Sequence, residues 1–250
     1  MRNFKLLKGT PLSYTATYNL MAFDHFLNVP SGLGFDMEYT ALRSGEVFVE
    51  TSGHQAQKTI SGELVFRSYE DYSDFINFIG DNSQLTLCYK PHAEWWNIAV
   101  KVANISKGEK DTNGRLICAI TFIAFSTWYK YSSYAAAAII PVVNSGVPSP
   151  FRLRVTGAAS SFSWDVTQDG RVIARGIWRG TLAANQYLEI NTDPREMGIN
   201  IYTNEGVFVS NEYQHCDFST ERFFYVPSGA STFNVSKAAS LMVVEYAYSV

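Results

Sequence analysis

The sequence predicts a mainly β protein of two domains: an N-terminal β-sandwich carrying one α-helix, then a second β-sandwich. Three observations predict it. Short apolar or alternating segments recur along the 250 residues, separated by turn signals. One stretch alone, Ser68 to Gly80, has the three- and four-residue spacing of an amphipathic helix. A tract punctuated by Pro141, Gly146, Pro148 and Pro150 divides the chain into halves of ordinary domain size, read as residues 1–135 and 136–250.

The elements can be justified in order. Leu33 to Glu50 has a hairpin-like pattern around Arg43-Ser44-Gly45, and the polar tract Thr51 to Thr59 should be exposed. Glu63 to Arg67 reads as a strand leading into the helix. Ser68 is a natural N-cap, and Glu70 and Asp71 put negative charge where the helix dipole favours it. Tyr69, Tyr72, Phe75, Ile76 and Ile79 gather on one face, and Gly80 can turn left-handed at the end. A helix this short needs cover, which Glu63 to Arg67 and Leu85 to Lys90 can provide. Trp95 to Ile105 reads as a strand, Lys107 to Gly114 as a polar loop, and Arg115 to Phe125 as a strand covered on both faces.

The character of the chain changes at Trp128, and from Phe151 onward the pattern is purely β. Residues 151–157, 162–180, 186–192, 198–204, 222–229, 231–236 and 240–248 read as short strands with their turns, and Asp169-Gly170 is a two-residue hairpin signal.

Composition narrows the function. The 20 basic and 23 acidic residues give a net charge of −3 with no basic run, so phosphate-driven nucleic-acid binding has no footprint. Aromatics at 15% against charged residues at 17% suit a subunit buried in an assembly. Cys88, Cys118 and Cys216 are too few and too widely spaced for a disulfide framework or a metal cluster. The N-terminal residues lack a long apolar core, and Ala135 to Val143 is too short to span a bilayer. The expectation is a soluble chain made in a cytoplasm.

No catalytic set stands out. His25, His54, His92 and His215 are scattered, and no zinc-protease, nucleophile-elbow or phosphate-loop motif occurs. His92 with Glu94 and the His215-Cys216 pair read as surface or packed residues. The acidic pairs Asp36/Glu38, Asp169/Glu189 and Asp193/Glu196 carry no geometry that would make them a glycosidase site. The expectation is therefore no enzyme, no cofactor and no metal. Trp178, Arg179 and Arg195 are candidates for ligand or partner contact, since sugar-binding sandwiches stack a ring on tryptophan and bond it through arginine. The competing reading packs Trp178 at an edge or interface and makes Asp193-Pro194 a turn.

The succession of motifs resembles a known family. GELVFRSYEDYSDFINFI, LTLCYK and the closing FSTWYKY look like the first domain of the distal tail proteins of long, non-contractile phage tails. VNSGVPSPFRLRVTG, SWDVTQDGRV, GTLAANQYLEINT and FFYVPSGASTFNVS resemble the galectin-like sandwich that follows there. The resemblance implies a structural baseplate hub in the virion, assembled in the host cytoplasm. It implies a homohexameric ring, possibly stacked, that joins the tail tube protein to the tail-associated tip protein and anchors receptor-binding or other baseplate proteins. DNA would be passing cargo only. Sugar binding is not implied, because the histidine and tryptophan pattern of sugar-binding galectins is absent; only Asp193-Pro194-Arg195 echoes it.

Two sets of residues follow as expectations. Leu33 to Ile60 should reach a neighbouring subunit, with Arg43, Ser44, Glu46 and Phe48 as candidate contacts. Asp36, Glu38 and Glu46 are candidate channel-lining residues, since a bore that passes DNA should be neutral or negative. The alternative function is a carbohydrate-binding module recognising host cell-wall polysaccharide through the second domain, and a more distant one is a carbohydrate-active enzyme.

Overall fold

The computed structural model describes residues 3–20, 26–28, 35–41, 48–55, 57–80, 84–110, 114–124, 127–194, 196–218 and 223–247, with backbone only over 26–28, 35–41, 48–55 and 109–110. The chain forms two compact units, residues 1–129 with 247–250, and residues 130–246. Both are built from antiparallel strands, and the described residues contain one α-helix.

The first unit has two sheets that share one long strand. Strands β1 (Asn3–Thr10), β2 (Ser13–Asn19), β7 (Leu85–Lys90) and the start of β8 (Trp96–Lys110) form one sheet in the order β2-β1-β7-β8. The remainder of β8 pairs with β9 (Leu116–Ala124), β9 with β6 (Lys58–Phe66), and β6 with β3 (Phe26–Asn28). Partners change between Val100, opposite Leu85, and Lys101, opposite Ile123, and the register slips just beyond, between Val102 and Asn104. Such a slip bends a strand, which is what moving between sheets requires. The two inner faces enclose one core that includes Phe4, Leu6, Leu87, Ile98, Ile60, Phe66, Ile120 and Phe122. β4 (Phe35–Ala41) and β5 (Phe48–Gln55) pair as a separate hairpin.

The helix α1 (Tyr69–Ile79) connects β6 to β7 and therefore one sheet to the other. Ser68 caps it, its hydroxyl accepting the Asp71 N–H at 3.1 Å. Phe75 is fully buried, its ring 5.4 Å from Phe66 and 5.0 Å from Tyr18, while Tyr72, Phe78 and Ile79 pack at the margin. Tyr69 lies at the rim, 56% exposed, with Lys107 Nζ 4.2 Å from its ring centroid.

The second unit repeats the device. β18 (Gly229–Ala247) pairs over Thr232 to Val235 with β12 (Ala159–Gln168), and over Ala239 to Val243 with β11 (Phe151–Thr156). One sheet then continues from β12 to β13 (Arg171–Leu182) and β17 (Cys216–Phe218). The other continues from β11 to β14 (Gln186–Asn191), β15 (Gly198–Thr203) and β16 (Phe208–Asn211). Between them lie Leu153, Val155, Leu188, Ile190, Ile201 and Leu241 from one side, and Phe162, Trp164, Trp178 and Phe233 from the other. Asp169 and Gly170 both take positive φ, 50° and 74°, closing the β12–β13 hairpin as the two-residue signal predicts. Trp164 sits opposite Gly176, where an added Cβ would fall 2.2 Å from the indole.

Several expectations need correction. Gly80 stays right-handed at φ −81°, so its freedom to turn left-handed is not used. Lys107 to Lys110 extend β8 instead of starting a loop. β9 is covered on one face only: Leu116, Cys118, Ile120, Phe122 and Ala124 are buried, whereas Ile117 and Ala119 are exposed. The tract read as a linker is strand β10 (Trp128–Asn144) up to Asn144. Of residues 222–229, Val226 makes only an isolated bridge with Ser149. β1 and β2, whose Phe4 and Leu6 belong to the core, escape the sequence reading because lysine and threonine interrupt their apolar pattern.

β10 cannot be straight. Ser132 and Ser145 are 13 residues apart, about 43 Å in an extended chain, yet both hydrogen-bond the Glu245 carboxylate. The segment between them doubles back.

Phe75→Ala should destabilise the first unit by about 3–5 kcal/mol, and Tyr69→Ala by less than about 1 kcal/mol. Urea unfolding followed by tryptophan fluorescence measures both; equal losses would refute the assigned packing.

Candidate assembly surfaces

What the described residues offer a partner is strand edges and exposed apolar side chains. In the first unit β2 ends its sheet: its partner is β1, and Ser13, Tyr14 and Thr15 are exposed beside Leu12. In the second unit β16 ends the longer sheet, paired with β15, and Val207, Phe208 and Val209 are exposed there, Phe208 by 57%. An edge strand presents unpaired backbone N–H and C=O groups, and apolar side chains beside them favour association.

Behind β16 the side chains form a ladder across neighbouring strands. Arg154 lies 4.1 Å over the Tyr187 ring and pairs with Glu189 at 2.8 Å. Tyr187 stacks on Tyr202 at 5.3 Å, and Tyr202 meets the edge of Phe208 at 6.0 Å. Tyrosine, phenylalanine and arginine are the residue types that dominate protein interfaces.

Two buried carboxylates hold the second unit together locally. Glu212 accepts Trp178 Nε1–H at 3.0 Å, His215 Nδ1–H at 2.8 Å and the Ser210 hydroxyl at 2.6 Å, tying β13, β16 and the turn at Tyr213–His215. Burial alone would raise its pKa, but the bonds from Ser210, His215 and Trp178 outweigh that and hold it below the ordinary 4.5. Glu245 is likewise held below 4.5, burial being outweighed by bonds from Ser132 and Ser145 and by the charge of Lys130.

The sequence-predicted residues fall into three groups. Arg43, Ser44, Glu46 and Arg195 lie outside the described residues. On the hairpin, Asp36 pairs with His54, Glu38 with Ser52, and Phe48 with Ala41 at the end nearest the turn. Trp178 and Arg179, adjacent on β13, separate to opposite faces as strand neighbours must. The Trp178 ring is wholly buried, so it cannot stack on a sugar, while Arg179 is exposed and pairs with Asp217 at 3.3 Å. Trp178 packs, but in the core of the second unit on a strand paired on both sides, and not at the edge or interface expected.

The other candidate chemistry disperses. Asp169 occupies a hairpin turn and Glu189 sits mid-strand against Arg154; Glu196 pairs with Arg152. His92 and Glu94 are exposed in the β7–β8 connection. Burial pushes the Cys88 thiol up to about 12, and burial with the Glu212 charge does the same for Cys216, so neither ionises near neutrality. All three cysteines are free. Among the described residues, no group of three or more His, Cys, Asp or Glu could hold a metal ion, and no helix is long and apolar enough to cross a membrane. Glu212 and Glu245 escape the sequence reading, although a lone glutamate inside the apolar run at Val243 to Tyr246 was a usable signal.

Comparison with known proteins bears on these surfaces. The family described as "Distal tail protein, N-terminal domain" matches residues 4–125. The crystal structure of the Dit protein (gp 19.1) of phage SPP1, described as a paradigm of hub adsorption apparatus in phages infecting Gram-positive bacteria, superposes with a TM-score of 0.64. The match covers 97% of this chain and 98% of that one at 10% identity. A chain of the phage P2 baseplate in its activated conformation with Ca gives a TM-score of 0.62 at 16% identity, covering 100% of both chains. At these identities the likeness is one of fold, and it extends over the whole chain. No curated protein matches the sequence.

Stability of the second unit should fall with acid in a defined window. Both carboxyls titrate below their unfolded value, so their contribution is complete above about pH 4.5 and is lost as pH drops through the lowered folded values. Thermal melts between pH 7 and pH 3 should show this slope, and Glu212→Gln should flatten it while lowering the melting temperature at neutral pH.

Proposed function

We propose that this chain, whose residues 4–125 match the family described as "Distal tail protein, N-terminal domain", is the baseplate hub of a long, non-contractile phage tail, working as a homohexameric ring. The observation that carries the reading is the family match over the first unit. The fold likeness to two phage tail proteins along the full chain supports extending it to the second unit.

The physical argument for a ring rests on edges. A sandwich that ends one sheet in β2, with Leu12 and Tyr14 exposed beside it, has backbone groups and apolar area that a second copy can cover. A contact between two different patches, repeated by rotation, closes into a ring and leaves no edge free. The hairpin β4–β5 supplies the second patch: Arg43, Ser44, Glu46 and Phe48 reach the neighbouring subunit. The ring continues the tail tube on one side and meets the tail-associated tip protein on the other.

The second unit, a galectin-like sandwich in this reading, serves as a platform for receptor-binding or other baseplate proteins. Its ladder of Arg154, Tyr187, Tyr202 and Phe208 suits protein contact. The chain acts by holding other parts in place, in the virion, after assembly in the host cytoplasm. Asp36, Glu38 and Glu46 face the bore, where negative charge repels DNA phosphates and lets the genome slide past.

Purified protein should form sixfold rings by negative-stain imaging, and species of six times the monomer mass by mass photometry. A strictly monomeric protein at high concentration would overturn the reading. Removing residues 44–57 should shift the scattering mass down to monomers or small oligomers. In virions carrying Asp36→Lys with Glu38→Lys, DNA ejection should slow measurably at low salt and recover as salt screens the charge; unchanged ejection would remove these residues from the bore.

A further inference from the structure

The chain enters the second unit at Lys130 and leaves it after Tyr246. The side chains beside these two crossings bond one another. Glu245, 2% exposed, pairs through Oε2 with Lys130 Nζ at 3.4 Å. The same oxygen accepts the Ser145 hydroxyl at 2.8 Å and the Ser145 backbone N–H at 3.1 Å. Its other oxygen accepts the Ser132 hydroxyl. Lys130 is also buried. All four residues belong to the second unit.

The cluster's position calls for more than a stability argument. A buried ion pair is often no better for stability than apolar residues of the same volume, because desolvating two charges offsets their attraction. What this pair does that apolar residues cannot is fix position through directed bonds. Lys130 and Ser132 mark the start of the doubled-back segment, and Ser145 marks its return.

We propose that the Glu245 cluster is a strap: closed, it holds the entry and exit of the second unit together and pins both ends of the 132–145 segment; open, it frees them while the core of the unit stays folded. Two further observations support it. The segment is only half anchored by packing, for Ile140 and Val142 are in the core whereas Ile139 and Val143 are each 65% exposed. Moreover, side chains from the entry and from both ends of the segment converge on one carboxylate, in addition to the β10–β18 pairing and the bonds of Asn144 to Val147 and Val226. Beside the carboxylate, the backbone bond from Val147 N–H to Tyr246 O is the next tie across the root of the unit. The strap does not depend on the hub reading, since it follows from the second unit alone.

Hydrogen–deuterium exchange on the full-length chain tests it, comparing wild type with Glu245→Gln. Glutamine preserves shape and can still bond the serines, but it removes the charge that Lys130 meets. Exchange at the amides of residues 130–133, 145–147 and 245–247 should accelerate about tenfold or more. Exchange in Phe162 to Val166 and Leu188 to Ile190 should stay at the wild-type rate. Ser145→Ala should accelerate the same root amides by a smaller factor. Unchanged root amides would overturn the proposal. So would acceleration spreading equally into the core strands, or failure of Glu245→Gln to fold, because the cluster would then be a keystone of the core and not a strap.

Discussion

Each unit depends on one strand that is longer than any single sheet requires. β8 in the first unit and β18 in the second change partners midway, so that each sheet is joined to its opposite through continuous backbone. Two sheets of a sandwich are otherwise held only by side chains meeting between them. A shared strand brings the inner faces together at one place, and the apolar residues on both sides have only to fill the wedge that results. The cores of Phe75, Phe66 and Phe122, and of Phe151, Trp164 and Phe233, are what fill it.

That construction explains where the surfaces for assembly arise. A sandwich closed along one side by a shared strand remains open at its far strands, which among the described residues are β2 and β3 in the first unit and β16 and β17 in the second; β2 and β16 are the two that concern assembly. Both are short and carry exposed aromatic residues, Tyr14 and Phe208. In a lone molecule such edges invite uncontrolled association. In a subunit of a larger body they are where specificity resides, which agrees with the match of residues 4–125 to the N-terminal domain of distal tail proteins. Polar groups inside the second unit serve position more than chemistry: Glu212 fixes the β13–β16 corner and Glu245 the root.

Much of the architecture was legible as pattern. The cap at Ser68, the spacing that buries Phe75 and the Asp169-Gly170 turn are local events, decided by residues within a few positions of one another. The hairpin β4–β5 was legible for the same reason. The N-terminal pair β1–β2 was not, because its alternation is broken by lysines whose ammonium groups sit over aromatic rings, Lys5 over Trp95 and Lys8 over Phe78. Trp178 illustrates the same limit at the candidate site. Its neighbour Arg179 suggested a ligand pair, but whether an indole faces solvent or core depends on the strand's orientation in its sheet.

The sequence by itself determined the fold class, the helix at Tyr69–Ile79, the Asp169-Gly170 turn and the lack of a basic run, since composition and short-range spacing carry those directly. Only the tertiary structure decided which strands end their sheets, which tryptophan is hidden, and that Lys130, Ser132 and Ser145 meet at Glu245. These relations join residues as many as 115 positions apart, Lys130 to Glu245. No local pattern encodes them, because they appear only when distant strands take their register.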